Sequence, residues 1–189
     1  MRRPSQDFCL ARLPSPLGTL LVVHDDARTL RALDFQDHAP RLHRLLGLHY
    51  GQAGRDFTLL EGDAPAVSRE ALAAYFEGRL AALDLIPVQT GGTDFQRIVW
   101  AALRQIAVGT TVSYGELAAR IGRPTAVRAV GLANGANPIG VVVPCHRVIG
   151  ANASLTGYAG GVERKRWLLE HEGAVPGARA GHRDLFQGP

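Results

Sequence analysis

The sequence predicts an α+β fold with two domains, in which a small antiparallel sheet with helices precedes a mostly helical part. Short apolar stretches bounded by turn residues predict strands near residues 20–24 and 29–35. Later in the chain, apolar side chains recur at helical spacing behind two capping boxes. A stretch rich in proline and glycine, residues 85–92, separates the two patterns. We therefore expect an N-terminal domain over 1–90, a second domain over 91–173 and a loosely ordered tail over 174–189.

The first ninety residues predict strands followed by two helices. The sequence Ser15-Pro16-Leu17-Gly18 is typical of a turn between an extended arm at residues 8–13 and the strand at 20–24. Helices are expected near residues 40–50 and 64–78. This part has no visible catalytic pattern, and we expect its polar side chains to be solvated.

The second part begins with an amphipathic helix. Thr93 and Gln96 have capping-box spacing, and Trp100 within this helix is expected to serve packing. The apolar residues expected on one face are Phe95, Ile98, Val99, Ala102, Leu103 and Ile106. A last helix is expected at residues 162–172, before a C-terminal cap at Gly173.

Between these helices lies a pattern typical of a helix-turn-helix unit. Ser113 and Glu116 form a second capping box for a helix that runs through Ile121. The residues Gly122-Arg123-Pro124 break this helix, and a second one is expected from about 125 to 135.

The second helix of the pair carries an arginine beside bare backbone. Arg128 has Gly131 and Gly135 at i+3 and i+7, whereas Val127, Val130 and Asn134 share another face. A glycine inside a helix costs about 1 kcal/mol relative to alanine. Two of them beside an arginine indicate close contact with a nucleic-acid backbone, although plain helix packing is the alternative.

A reactive cysteine is the main chemical prediction. Val141, Val142 and Val143 suggest a buried strand, and Pro144 would open a helical turn with Cys145 in its first turn. There the helix dipole, with His146 and Arg147, would favour a thiolate. A packed, inert cysteine is the alternative.

A carboxylate on the last helix completes a possible triad. Glu172 lies on the same side of that helix as Leu168 and Leu169, and a carboxylate on an apolar face needs a partner. His146 is the candidate partner, which would give nucleophile, base and orienting acid with Cys145.

Composition narrows the class of protein. The chain has 189 residues, a net charge of +4 and Lys165 as its only lysine. Arginine suits phosphate and base contacts, but a GC-rich genome would give the same bias. No stretch is typical of a membrane span or signal peptide, so we expect a cytoplasmic protein without a membrane partner.

The cysteine and histidine content argues against disulfides and metals. Cys9 and Cys145 are the only cysteines, which favours a reducing compartment. We expect no metal site, because the four histidines of the first fifty residues lack cysteine partners at ligand spacing; these are His24, His38, His43 and His49.

These motifs, in this order, resemble the O6-alkylguanine-DNA alkyltransferases, or methylated-DNA–protein-cysteine methyltransferases, of the bacterial stand-alone type. The resemblance is strong over residues 91–173, and the turn at 15–18 extends it less specifically into the first ninety. The residues that carry it are Pro144-Cys145-His146-Arg147-Val148, Arg128-Ala129-Val130-Gly131, Asn134-Gly135, Asn137-Pro138, Thr156-Gly157-Tyr158 and Glu172.

The resemblance implies a set of catalytic roles. Cys145 would take the alkyl group from O6 of guanine, and the resemblance extends to O4 of thymine. His146, acting through a water and oriented by Glu172, would be the base, and Asn137 would couple the DNA-binding helix to the site. The thioether product is not hydrolysed, so the protein would act once, without a cofactor.

The resemblance also implies how DNA is bound. The partner would be double-stranded DNA containing O6-alkylguanine, entered through the minor groove, with the damaged base flipped out. We expect a monomer and leave clustering on DNA open. Arg128 would fill the space left in the base stack, and Tyr114 would help to extrude the nucleotide and protonate the leaving base. The other DNA-binding residues would be Gly115, Arg123, Gly131 and Gly135, and Tyr114, Val148, Tyr158 and Ala159 would line the pocket.

Two positions depart from the family pattern. Ala153 follows Asn152 where relatives commonly have glycine, so this loop is expected to be stiffer and to bend differently. Ala159 lacks the hydroxyl that some relatives carry as serine, which leaves a backbone N–H to meet the O6 region.

Two other functions compete with alkyl transfer. A non-enzymatic sensor would bind and flip the alkylated base without reacting, but Cys145, His146 and Glu172 together argue against it. A cysteine hydrolase would use the same three residues, but it leaves Arg128 and its neighbouring glycines unexplained.

Overall fold

The computed structural model describes residues 6–51, 57–155 and 157–174. The predicted tail therefore lies outside the described residues except for Ala174, and so does Thr156. The fold is α+β, as the sequence predicts, with one four-stranded sheet in the first half and mostly helices in the second.

The sheet has the order β3-β2-β1-β4. Strands β1 (Gln6–Leu13), β2 (Leu20–His24) and β3 (Leu30–Phe35) pair antiparallel, as expected. The turn before β2 forms where it is predicted, with Gly18 N donating to Ser15 O at 3.1 Å.

The fourth strand departs from the antiparallel expectation. Strand β4 (Phe57–Glu61) pairs parallel with β1 because the chain returns to the sheet through a helix, α1 (Ala39–Tyr50). The sequence gives little sign of β4, since it is a short edge strand whose side chains are all at least partly exposed. Helix α2 (Ala66–Phe76) follows, and a 3₁₀ segment covers Leu80–Leu85.

The helices of the second half are α3 (Asp94–Leu103), α4 (Tyr114–Arg120), α5 (Val127–Gly135) and α6 (Val162–His171). Both predicted capping boxes form, at Thr93 and at Ser113. The expected apolar face of α3 is wrong at one position, because Ile98 is 47% exposed. Trp100 is buried and donates its indole N–H to Ala133 O, which fixes α3 against α5.

A glycine ends α4 and separates it from α5. Gly122 has a φ of +70°, and the N–H groups of Gly122 and Arg123 donate to carbonyls of α4. The chain then turns before α5 begins at Val127, two residues later than expected.

Two segments of the chain form hydrogen bonds with the outer edge of β3. Leu30 N donates to Pro87 O at 2.8 Å, so part of the predicted linker lies along the sheet. Leu33 N donates to Pro138 O and Gly140 N to Leu33 O, both at 2.9 Å. The segment that leads to Cys145 is therefore anchored on the N-terminal sheet.

The expected strand at residues 141–143 is wrong. The three valines are buried, but Val141 has a φ of +67°, and tight turns join Val142 N to Gly140 O and Val143 N to Ile139 O. The three valines are buried because they pack into the core shared by both halves of the chain, and this packing does not require them to pair as a strand. That core joins both halves of the chain, with Leu20, Val22, Leu33 and Phe35 from the sheet and Val99, Trp100, Val130 and Leu168 from the helices.

Candidate active site

Cys145 begins a single 3₁₀ turn, Cys145–Arg147, whose three residues are all buried. Two short strands support the site, because β6 (Val148–Ile149) follows this turn directly and pairs parallel with β5 (Val112–Ser113). The amide of Cys145 donates to Val143 O at 2.8 Å and that of Arg147 to Pro144 O at 3.1 Å. A single turn with these amides engaged provides little of the dipole that the sequence analysis expected to act on the thiol.

The expectation of a readily ionised thiolate is wrong for the free protein. Burial raises the pKa of the Cys145 thiol above its usual range. A hydrogen bond from Asn137 and the charges of Arg41 and Lys165 lower this pKa in part. Arg41 and Lys165 lie outside the Pro144–Arg147 motif, and a thiol whose pKa is raised is mostly protonated near pH 7.

The structure brings His146, the neighbour of Cys145 in the chain, together with Glu172. His146 Nε2 lies 3.0 Å from Glu172 Oε1, and both side chains are fully buried. The carboxylate also binds Arg147 in a bidentate pair, from Nε to Oε2 at 2.8 Å and from Nη2 to Oε1 at 2.9 Å. Burial alone would raise the pKa of Glu172, but the hydrogen bonds and charges of His146 and Arg147 hold it far below its usual range.

An ionised Glu172 fixes the tautomer of His146. Because the carboxylate only accepts, the proton of the neutral ring lies on Nε2 and leaves a lone pair on Nδ1. Nδ1 is buried and has no hydrogen-bond partner among the described residues. Burial lowers the pKa of His146, although Glu172 opposes this, so the ring is a neutral base near pH 7.

Sequence reasoning missed two contributors to this network. Tyr75 on α2 donates its hydroxyl to Glu172 Oε1 at 2.8 Å, and Arg147 Nη1 donates to Ile106 O at 2.6 Å. The N-terminal half therefore reaches the site, contrary to the expectation that its polar side chains are solvated. The only available signal was that a tyrosine on a buried helix face needs a partner for its hydroxyl.

Asn137 holds the turn in front of Cys145. Its side chain donates to Val143 O at 2.8 Å and accepts from Ile139 N at 3.0 Å. Arg41, paired with Asp34, donates to the carbonyls of Gly135 and Asn137 at 2.8 and 2.9 Å. The end of α5, the cysteine turn and the sheet are thus joined at Asn137.

Two of the pocket residues named by the resemblance, Tyr158 and Val148, adjoin this turn. Tyr158 packs edge-on against His146, with ring centroids 6.4 Å apart, and Val148 is fully buried. Ala159, the residue after Tyr158 in the chain, is half-buried. A Cβ on Gly160 would lie 2.7 Å from Tyr158 Cε1 and 2.8 Å from Phe35 Cε2, so only glycine fits there.

Tyr114, the first residue of α4, lies between the loop and α5. A Cβ on Gly131 would be 3.8 Å from its ring, and one on Gly157 would be 3.6 Å from its hydroxyl. Burial, together with Cys145, raises the pKa of Tyr114, so the phenol keeps its proton.

The residues predicted to meet DNA differ in exposure. Arg123 and Arg128 are exposed, and Arg128 forms no ion pair within the described part of the chain. Gly135 is also exposed, and a Cβ there would touch nothing within 4 Å. Gly115 is half-buried near the start of α4.

None of the helices in the described ranges is long and apolar enough to cross a bilayer.

Ala153 takes the conformation that glycine would prefer. Its φ is +62°, and its N–H donates to Gly150 O at 2.9 Å while Gly150 N donates to Ser154 O at 2.9 Å. The loop therefore keeps a left-handed turn, with strain at Ala153.

Two family models match the chain. The model of the 6-O-methylguanine DNA methyltransferase ribonuclease-like domain matches residues 11–90, and that of the DNA-binding domain of the same methyltransferase matches 94–174.

Individual relatives agree with these models. The methylated-DNA–protein-cysteine methyltransferase of Salmonella typhimurium is 52% identical over 162 residues, which cover 86% of this chain and 94% of the relative. The protein of the same name from Mycobacterium bovis is 60% identical over 101 residues, which cover 53% of this chain and 61% of the relative.

A solved structure is also similar. The crystal structure of Mycobacterium tuberculosis OGT in complex with DNA has a TM-score of 0.74 and 42% identity, covering 87% of this chain and 92% of that one.

Proposed function

The chain belongs to the 6-O-methylguanine DNA methyltransferase family, and we propose that Cys145 is the residue that accepts the alkyl group. The protein repairs alkylated DNA directly, by transfer of the alkyl group to one of its own cysteines. The observation that supports Cys145 over Cys9 is the His146–Glu172 pair next to it in the chain. His24, which lies opposite Cys9 in the sheet, hydrogen-bonds Ser68 instead of a carboxylate.

Proton transfer precedes attack. Because burial raises the pKa of the thiol, Cys145 reacts when its proton passes to the free lone pair on His146 Nδ1, through a water as the resemblance implies. The hydrogen bond and negative charge of Glu172 then stabilise the imidazolium, whereas the positive charges of Arg147 and Lys165 oppose it.

Alkyl transfer itself is a displacement at saturated carbon. The thiolate forms a C–S bond to the alkyl carbon while the C–O6 bond breaks, and its electron pair stays with the guanine. The base then gains a proton, for which the protonated Tyr114 hydroxyl is the donor. The His146 imidazolium releases the proton that came from the thiol, and the Tyr114 phenolate regains one through solvent. In sum, the thiol hydrogen is replaced by an alkyl group and guanine is restored, and the thioether leaves no nucleophile for a second cycle.

The target base must leave the duplex to reach a buried thiol. Extrusion costs a few kcal/mol, and an inserted side chain offsets part of this cost. Arg128 on the open face of α5, beside Gly131 and Gly135, is suited to insertion from the minor groove, and Tyr114 stands between that face and the pocket loop. The substrate we propose is double-stranded DNA with O6-alkylguanine, and also O4-alkylthymine, bound by a monomer in the cytoplasm.

The extrusion role is tested by comparing two substrates. Arg128→Ala should slow transfer from duplex O6-methylguanine at least tenfold while leaving reaction with the free O6-alkylguanine base unchanged, because only the duplex needs extrusion. Equal losses on both substrates would contradict the role of Arg128.

The acceptor is tested by Cys145→Ala. This variant should bind duplex DNA as the wild type does and transfer nothing, whereas Cys9→Ala should transfer normally. Transfer by Cys145→Ala would overturn the assignment. Tight binding of alkylated duplex by the wild type without any adduct would instead indicate a lesion sensor.

A further inference from the structure

We propose that Tyr75, on α2 in the N-terminal half, is a positioning residue for alkyl transfer that acts on His146 through the carboxylate of Glu172. The inference deepens the proposed function and rests on Cys145 as the acceptor. It gives the N-terminal half of the chain a part in the reaction.

The first observation is the crowding of one carboxylate oxygen. Glu172 Oε1 accepts from Tyr75 at 2.8 Å, from Arg147 Nη2 at 2.9 Å and from His146 Nε2 at 3.0 Å. Oε2 has Arg147 Nε as its partner at 2.8 Å. Tyr75 therefore competes with His146 for the same oxygen.

The second observation is that the Tyr75 hydroxyl is held in place and keeps its proton. The ring is fully buried and packs edge-on against Phe76 and His171, with centroids 5.2 and 5.1 Å apart. His171 Nε2 also lies 2.7 Å from Tyr75 O, which ties α2 to the end of α6. Burial and the charge of Glu172 raise the pKa of Tyr75 far above its usual range, so its hydroxyl donates at every working pH.

A shared acceptor divides its negative charge among its donors. Each hydrogen bond that Oε1 accepts weakens the others. The bond from the Tyr75 hydroxyl therefore weakens the one that Glu172 accepts from His146 Nε2. The remaining groups that face His146 stay in place when this hydroxyl is removed: Arg147, Lys165, Tyr158 and Cys145. Loss of the hydroxyl should therefore make His146 more basic.

Tyr75→Phe removes the hydroxyl and keeps the ring. Two quantities are measured against pH: the single-turnover rate of transfer from duplex O6-methylguanine, and the ring nitrogen NMR shifts of His146. Because the base must be neutral, transfer fails on the acid side. We expect both midpoints to rise by about one pH unit, with the plateau rate little changed. Tyr50→Phe, which removes a tyrosine hydroxyl from the same half of the chain, is the matched control and should reproduce the wild-type midpoints.

A second substitution at position 75 should shift both midpoints in the opposite direction. Difluorotyrosine placed at position 75 has the same shape and is a stronger donor, so both midpoints should fall. Uniform slowing at every pH with unmoved midpoints would show that Tyr75 only packs, and would overturn the proposal. The NMR titration needs no alkyl transfer, so it still tests Tyr75 if the wild type proves unable to repair DNA.

Discussion

Glu172→Gln is the substitution whose cost the geometry defines most sharply. The carboxylate is fully buried and pairs with Arg147, whose side chain is only 7% exposed. Glutamine keeps the size of the side chain but removes its charge, which leaves a buried guanidinium without its counter-ion. Breaking a buried pair in this way costs about 3–5 kcal/mol. Arg147 keeps its bond to Ile106 O, so we expect the lower end, about 3 kcal/mol.

The assay is urea unfolding with a matched control in α6, the helix that ends directly before Glu172. Glu163→Gln removes a carboxylate that is 84% exposed and paired with Arg166, and it should change the free energy of unfolding by less than about 0.5 kcal/mol. Glu172→Gln should lower the transition midpoint at an unchanged slope. A loss below about 1 kcal/mol would refute the view that this carboxylate neutralises Arg147 inside the protein.

Three further changes have defined outcomes. Ala153→Gly should raise the free energy of unfolding by up to about 1 kcal/mol because glycine accepts a φ of +62° without strain; a loss on thermal or urea unfolding would contradict this. Gly160→Ala should slow alkyl transfer strongly while DNA binding is retained, because its Cβ would displace Tyr158 and the pocket loop; an unchanged single-turnover rate would contradict the tight fit. His24 is buried with its pKa lowered from 6.5 to about 4, so between these values the unfolded chain takes up a proton that the folded one does not, and stability should fall by up to about 3 kcal/mol as pH drops through this window. Unfolding measured at both ends of the window should show this loss reduced in His24→Leu and unchanged in His43→Gln, whose site is exposed, and equal losses in both variants would contradict it.

Local patterns predicted the elements that local physics determines. The capping boxes at Thr93 and Ser113 and the glycine ending of α4 depend on neighbouring residues only, and they form as expected. Strand β4 depends on a parallel partner, β1, that is far away in the chain, so no local pattern predicted it. The division into domains near residue 90 stays a prediction.

Around the cysteine, the sequence indicated the residues but not their electrostatics. The motif placed Cys145 next to His146 and suggested Glu172 as a partner, and the structure brings His146 and Glu172 into contact. The thiol pKa could not be read from the motif, because it depends on burial and on charges from distant elements. The same holds for Tyr75, which is 97 positions from Glu172 along the chain.

The most direct test of the account is the stoichiometry of transfer at Cys145. The wild-type protein is incubated with an excess of duplex O6-methylguanine, and intact mass, modified peptide and restored guanine are measured over time. The account predicts a gain of one methylene mass per protein, on the Cys145 peptide alone, and one equivalent of guanine restored before the reaction stops. Guanine restored beyond one equivalent, or a methyl group on the Cys9 peptide, would contradict it.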